Sequence, residues 1–417
     1  MTRTLPNGWR RDRLKDVASL RTEKTKDKSD LVDYLELEDI ESWSMKILNK
    51  RNTLEVESAV TLFNAGDVLF GKLRPYLAKV CRPEFNGKCT GEILAICPTH
   101  VDGNYLKYAL VDPEMIKKCT EFSYGAKMPR VNWNTQLSTF EISLPPLPEQ
   151  KQIAAFLDAK CADIDKAIAA KRKQLDLLEE MWKNILLKAT VYGIDGEQLK
   201  PSGDVFYPEI PASWRALKTV HCLSMPITDG PHTTPELFDD GVPFVSAEAV
   251  SNGSGRIDFS RIRGYISEEF YEECCKKYIP QVNDVYMVKS GATTGRVAIV
   301  DDDRKFTIWS PLAVFRAREY RMTAKYLYYS IQSPYYAKQV ELNWSFGTQQ
   351  NIGMRVLERL KLFAPPINQQ YRIVDYLDAK RKSLDELADN LRRQINVLEQ
   401  YRKSLIHECV MGERRVG

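Results

Sequence analysis

A stretch that occurs twice limits the folds open to this chain. Leu144-Pro-Pro-Leu-Pro-Glu-Gln150 runs into about forty residues of helical character, and Ala364-Pro-Pro-Ile-Asn-Gln-Gln370 runs into another forty. The copies superimpose at an offset of 220 residues, pairing Leu157-Asp-Ala-Lys160 with Leu377-Asp-Ala-Lys380, Asp165 with Asp385, Gln174 with Gln394 and Lys183 with Lys403. Beyond Pro148 the first copy holds no Pro or Gly before Gly193, and the second holds none between Pro366 and Gly412, as a long helix with a terminal stop requires. In the second copy Leu377, Leu384, Leu391, Leu398 and Leu405 recur every seven residues, with Ala388 and Ile395 four positions after two of them. The first copy answers with Leu157, Ile164, Lys171, Leu178 and Ile185, and its second row reads Cys161, Ile168, Leu175 and Trp182. Lys171, Arg381 and Arg402 interrupt the apolar rows.

A repeat of 3.5 residues keeps one narrow stripe facing a partner helix, so each segment reads as half of a coiled coil. The matched seams favour pairing of the two copies over separate packing of each helix on its own domain. At about 1.5 Å per residue, forty residues make a rod of roughly 60 Å, long enough to hold two bodies apart. The predicted architecture is therefore α+β: two mixed α/β bodies joined and separated by two long antiparallel helices, with an internal pseudo-two-fold repeat. The expected boundaries are 1–143 for the first body, 144–193 for the central helix, 194–363 for the second body and 364–417 for the C-terminal helix.

The bodies share a plan without sharing a sequence. Leu5-Pro-Asn-Gly-Trp9 is mirrored by Ile210-Pro-Ala-Ser-Trp214, Tyr34 to Ile40 by Phe244 to Val250, and Asp67-Val-Leu-Phe70 by Asp284-Val-Tyr-Met287. Alternation and β-branched content predict strands over Tyr34–Ile40, Asp67–Phe70, Glu92–Cys97, Asp284–Met287 and Val297–Val300, and a helix over Asn104–Thr120. Asp67 and Asp284 each follow a turn, where a carboxylate bonds turn amides; they read as structural.

The loops after these strands differ in chemistry. The first body offers Gly71-Lys-Leu-Arg-Pro-Tyr76 and the polar, aromatic run Tyr124 to Trp133; the second offers Lys289 to Arg296 and Trp344 to Ile352. Arg and Lys read guanine in the major groove and Asn and Gln read adenine, while hydroxyls and backbone amides hold phosphates. The candidate DNA-contacting residues are accordingly Lys72, Arg74, Tyr76, Lys127 and Arg130 in the first body, and Lys289, Ser290, Thr293, Thr294, Arg296, Gln349, Gln350 and Asn351 in the second.

Composition excludes more than it assigns. With 60 basic and 56 acidic residues the net charge is only +4, so any DNA surface is local. Nine cysteines without a CxxC pair predict reduced thiols, and four scattered histidines predict no metal site. The opening residues lack an apolar core of a signal peptide, and no apolar run reaches about eighteen residues, so a cytoplasmic location without membrane contact is expected. Ser290 to Gly295 lacks the spacing of a nucleotide-binding P-loop, and no nucleophile elbow, H-E-x-x-H, G-x-G-x-x-G or adenine-methyltransferase Asn-Pro-Pro-Tyr motif occurs. The chain is predicted to bind and position without catalysing. The competing class is a non-catalytic coiled-coil scaffold whose bodies bind protein partners.

Two unlike bodies, each opening on Pro-x-x-Trp, carrying "GDVLFGKLRPYL" or "NDVYMVKSGATTGRVAIV", and closing on "LPPLPEQKQIAAFLD" or "APPINQQYRIVDYLD" before a long helix, resemble the specificity subunit of type I restriction-modification systems. The resemblance spans essentially the whole chain. The helix entries are specific in combination, whereas the loops match in position more than in letter; Asn368-Gln369 replaces Pro148-Glu149, and the exit Cys409-Val-Met-Gly412 is one residue shorter than Ala189-Thr-Val-Tyr-Gly193. The resemblance implies a sequence-specific, non-catalytic DNA-binding subunit, each body reading one half of a bipartite double-stranded target. It further implies that the helix pair sets the gap and docks two modification (methyltransferase) subunits, with restriction (ATP-dependent translocase/nuclease) subunits joining them. S-adenosylmethionine, ATP and Mg are then expected in the partner subunits and none in this chain. Asp163, Lys166, Glu180 and Glu386 would remain available to partner helices.

Overall fold

A computed structural model describes residues 5–26, 32–52, 58–125, 127–251, 253–346 and 350–416. The chain forms two compact units, one of residues 1–174 with 390–417 and the other of residues 175–389. Each duplicated stretch is a continuous helix, Leu147–Val191 and Ile367–Val410, and each helix contributes to both units.

In the first unit a four-stranded antiparallel sheet runs in the order Ala18–Leu20, Ile93–Pro98, Val68–Gly71, Val80–Cys81, with Leu94 opposite Phe70. A two-stranded ribbon, Arg10–Arg13 against Glu141–Leu144, closes the body just ahead of the central helix. The predicted helix over Asn104–Thr120 is two helices, Gly103–Val111 and Pro113–Glu121. Pro113 lacks the amide that would continue the first, and Asp112 caps the second by accepting from the Met115 N–H. The strand expected over Tyr34–Ile40 is also shorter: Asp33–Leu35 is extended and Leu37–Asp39 closes into a 3₁₀ turn, in which Asp39 accepts the Glu36 N–H. Asp33–Leu35 joins a second sheet, parallel to Gly87–Cys89.

The second unit repeats this wiring. Thr228–Asp229, Leu312–Phe315, Val285–Val288 and Val297–Ile299 form the antiparallel sheet, with Tyr286 opposite Val314. Arg215–Lys218 pairs with Lys361–Ala364 as the closing ribbon, and Val242–Val245 runs parallel to Thr307–Ile308. Ala324–Gln332 and Pro334–Leu342 are its two short helices, again split at a proline, with Thr323 and Ser333 as caps. The two aspartates predicted to be structural are so in both units: Asp67 and Asp284 are buried, accept the Asn64 and Gln281 N–H groups at 2.8 Å, and pair with Arg21 and Arg316.

The two long helices pack together as a coiled coil, antiparallel in each unit. In the first unit Leu157, Cys161, Ile164 and Ile168 pack with Leu405, Ile406, Cys409, Val410, Ile395 and Leu398. In the second, Leu377 and Leu384 pack with Trp182, Leu186, Leu178 and Ile185. Leu175 and Leu391 are partly buried. The seam does not stand apart from the bodies, however: these residues share one continuous core with the sheet and short helices of their unit, so the alternatives of zipper and domain-packed helix are both realised. The predicted interruptions also find uses. Lys171 donates to Gln394, Arg402 pairs with Asp165, and Arg381 lies 5.3 Å over the Trp182 ring while pairing with Asp385 at 2.9 Å.

Candidate nucleic-acid interface

The duplicated motif anchors each helix to its body through buried amides. The Gln150 side chain accepts the Asp102 N–H at 2.8 Å and donates to the Pro145 carbonyl; Gln370 accepts the Thr323 N–H at 2.8 Å and donates to the Pro365 and Arg321 carbonyls. Glu149 and Gln369 receive the indole N–H groups of Trp9 and Trp214, at 3.0 and 2.9 Å. Tyr108 and Tyr329 donate to Asp158 and Asp378, and burial pushes both phenols up, well above the usual tyrosine range. In the sequence the motif is legible as a helix entry, while these anchoring roles are marked only by the recurrence of Glu/Gln-Gln and Leu-Asp at one offset.

On that frame the structure brings the predicted loops together in pairs. In the first unit the Val131 N–H donates to the Lys72 carbonyl at 3.0 Å, Arg74 N–H donates to Pro129 at 2.7 Å, and Leu73 bridges Arg130. In the second, the Ile352 N–H donates to the Lys289 carbonyl at 2.9 Å, Gly291 N–H donates to Gln350 at 3.0 Å, and Ser290 bridges Asn351. Lys72 and Lys289 thus hold equivalent positions at the end of equivalent strands. Each is fixed from the other side as well, by N–H bonds to Glu92 and Pro311.

Within this frame the candidates divide. Arg74, Tyr76, Lys127, Thr293, Arg296 and Asn351 are exposed, and Lys72 and Gln350 are half-buried. Arg74 sits in the left-handed region at φ +52°, a backbone state that few non-glycine residues adopt. Arg130 is committed to Glu92 by two hydrogen bonds of 2.9 and 3.2 Å, which raise its pKa further. Lys289 faces the buried Asp229 at 3.3 Å, so its charge braces the loop. Lys277 also pairs with Asp229, and His232 stands 3.2 Å away. Burial pushes the Asp229 carboxyl up, but the hydrogen bond and charge of Lys277, with Lys289, outweigh it and leave its pKa below the usual value. Thr294 turns inward to the Gly291 carbonyl at 2.7 Å, and Ser290 serves mainly through its backbone bridge. Gln349 lies outside the described residues.

Among the described residues no group of three or more His, Cys, Asp or Glu could hold a metal ion, and no helix is long and apolar enough to cross a membrane. The nine cysteines are free thiols.

The units define a tandem α/β protein, in which one scaffold recurs and presents paired loops of different sequence at equivalent places. The chain belongs to the family of type I restriction modification DNA specificity domains, whose model matches residues 6–179 and again 229–399. It is 23% identical over 384 residues to the type I restriction enzyme MjaVIII specificity subunit of Methanocaldococcus jannaschii, covering 90% of this chain and 84% of that one. It is 28% identical over 220 residues to the EcoDI specificity subunit of Escherichia coli, covering 51% and 45%. Among solved structures, a chain from a study of complex assembly and conformational transition of the type I R-M system superimposes with a TM-score of 0.73, at 21% identity over 99% of this chain and all of that one. The HsdS subunit from Thermoanaerobacter tengcongensis gives 0.50 at 20% identity, with 99% of each chain covered. At these identities the structural likeness speaks to fold.

Proposed function

We propose that this chain is the DNA-reading subunit of a type I restriction-modification complex, each unit reading one half of a bipartite double-stranded site through its paired loops. The observation that carries the reading is the equivalence of the Lys72–Val131 and Lys289–Ile352 backbone bonds. One scaffold presents two chemically different loop pairs at the same place, as two half-sites of different sequence require. Arg74, Tyr76 and Lys127 are the contacting side chains of the first unit, and Thr293, Arg296, Gln350 and Asn351 those of the second. Lys72 adds charge near the phosphates, while Arg130, Lys289, Ser290 and Thr294 hold the loops in shape.

In this reading the helix pair, residues 144–193 with 364–417, fixes the gap between half-sites, and residues 1–143 and 194–363 are exchangeable readers. Exposed Asp163, Lys166, Glu180 and Glu386 offer polar contacts to two modification subunits, with restriction subunits joining that core. Methyl transfer, ATP hydrolysis and cleavage belong to those cytoplasmic partners, and this chain performs none of them. Methylome sequencing of cells with and without the gene tests the proposal: loss of a single bipartite methylation motif is the expected outcome. A gel shift of the complex with modification subunits, showing no DNA preference, would favour the scaffold reading instead.

A further inference from the structure

The seam of the two long helices is nearly interchangeable between copies, because Leu157 and Leu377, Ile164 and Leu384, Leu178 and Leu398, Ile185 and Leu405 and Gln174 and Gln394 are like residues at the repeat offset. Such a seam by itself does not say which helix pairs with which. Two stations break the likeness. In the first unit Asp165, one turn after Cys161, pairs across the seam with Arg402, and Arg402 is buried. In the second unit the equivalent positions are Asp385, Arg381 and Trp182: Asp385 pairs with Arg381 on its own helix at 2.9 Å, and Arg381 lies 5.3 Å over the Trp182 ring. Each station holds one arginine and one carboxylate, and both arginines lie on the C-terminal helix: at the repeat offset Arg402 stands in exchange for Trp182 and Arg381 for Cys161, so the carboxylate meets its arginine across the seam in the first station and along its own helix in the second.

We propose that this exchange, Arg402 with Cys161 in one station and Arg381 with Trp182 in the other, is a pairing code that makes the central helix accept the C-terminal helix of the same fold and refuse like-with-like pairing between two copies of the chain. Two C-terminal helices set antiparallel would bring Arg381 of one against Arg402 of the other beside a single Asp385, leaving an excess positive charge at both stations. Two central helices would set Cys161 against Trp182 and strip Asp165 of Arg402, leaving it only the exposed Lys46, which bonds it at 2.7 Å. Arg381 and Asp385 are 31% and 51% exposed, so the cost of mismatching falls on Arg402 and Asp165, at 6% and 15%; an unmatched charge buried in a seam costs far more than on a surface, which is how single polar seam residues select partners elsewhere. The code matters here because the two loop sets differ. Like-with-like pairing would build particles with two identical readers.

The test is the full-length chain with Trp182→Arg and Arg402→Trp together, which reverses the code: like-with-like stations become charge-matched and the native ones mismatched. Wild-type chains fused to donor and acceptor fluorescent proteins should show little exchange and a monomeric mass by light scattering. The double variant should raise energy transfer between mixed batches by roughly tenfold or more and shift the mass toward the dimer. Arg381→Met alone, which relieves the arginine clash of the C-terminal pair, should raise exchange in the same direction and decides the matter if the double variant does not fold. Wild-type levels of exchange in helical, folded Arg381→Met and in the double variant would overturn the code.

Discussion

Gln370 accepts the Thr323 N–H at 2.8 Å and donates to the Pro365 and Arg321 carbonyls, so one fully buried side chain ties the start of the C-terminal helix to the start of a short helix in its body. Gln150 stands on Asp102 in the same way. Replacing Gln370 with Leu leaves the Thr323 amide and two carbonyls without partners in a dry site. We expect a loss of about 2 to 3 kcal/mol in urea unfolding, since a buried unsatisfied group costs roughly 1–3 kcal/mol. An unchanged midpoint would show that water enters the site.

The exposed and braced arginines should behave differently. Arg74→Ala is expected to cost roughly 1–3 kcal/mol in specific binding and to relax one half-site, with thermal stability unchanged. Arg130→Ala removes the partner of Glu92 and should loosen the loop pair, weakening binding together with local hydrogen-exchange protection. Equal protection in both variants would contradict the division.

Exchange of residues 1–143 for the first body of another family member should alter one half-site and leave the other intact. Methylation motifs read from cells carrying the hybrid check this, and a change in both halves would count against independent readers.

Matched seven-residue insertions after Lys171 and before Gln394 preserve the heptad seam and should lengthen the unspecified gap between half-sites. A gap of unchanged length in the methylated motif would remove the helices as its determinant.

Asp229 titrates below its ordinary value when folded, because Lys277 and Lys289 favour its charge more than burial opposes it. Its contribution is therefore present above the unfolded carboxylate pKa of about 3.9 and is lost as pH falls through the lower folded value. Between pH 5 and 3 the wild type should lose more stability than Asp229→Asn, measured by denaturant midpoints of the two proteins. Parallel curves would mean the carboxylate keeps its charge from another source.

The sequence alone determined the repeat, the two long helices and their seam, because periodicity and Pro/Gly placement act locally and survive without knowledge of contacts. It also located the loop pairs and the turn-capping role of Asp67 and Asp284, since these follow from position beside a strand or turn. Only the tertiary structure decided which charged side chains remain exposed and which are spent on a partner. Arg130 and Arg74 read alike in the chain, yet Glu92, thirty-eight residues before Arg130, takes one of them and none of the other's hydrogen bonds. The same holds for Lys289 and Asp229, and for Arg402 and Asp165. Ion pairing depends on distance in space, and a repeat pattern along the chain carries no record of which carboxylate folding will bring to a cation.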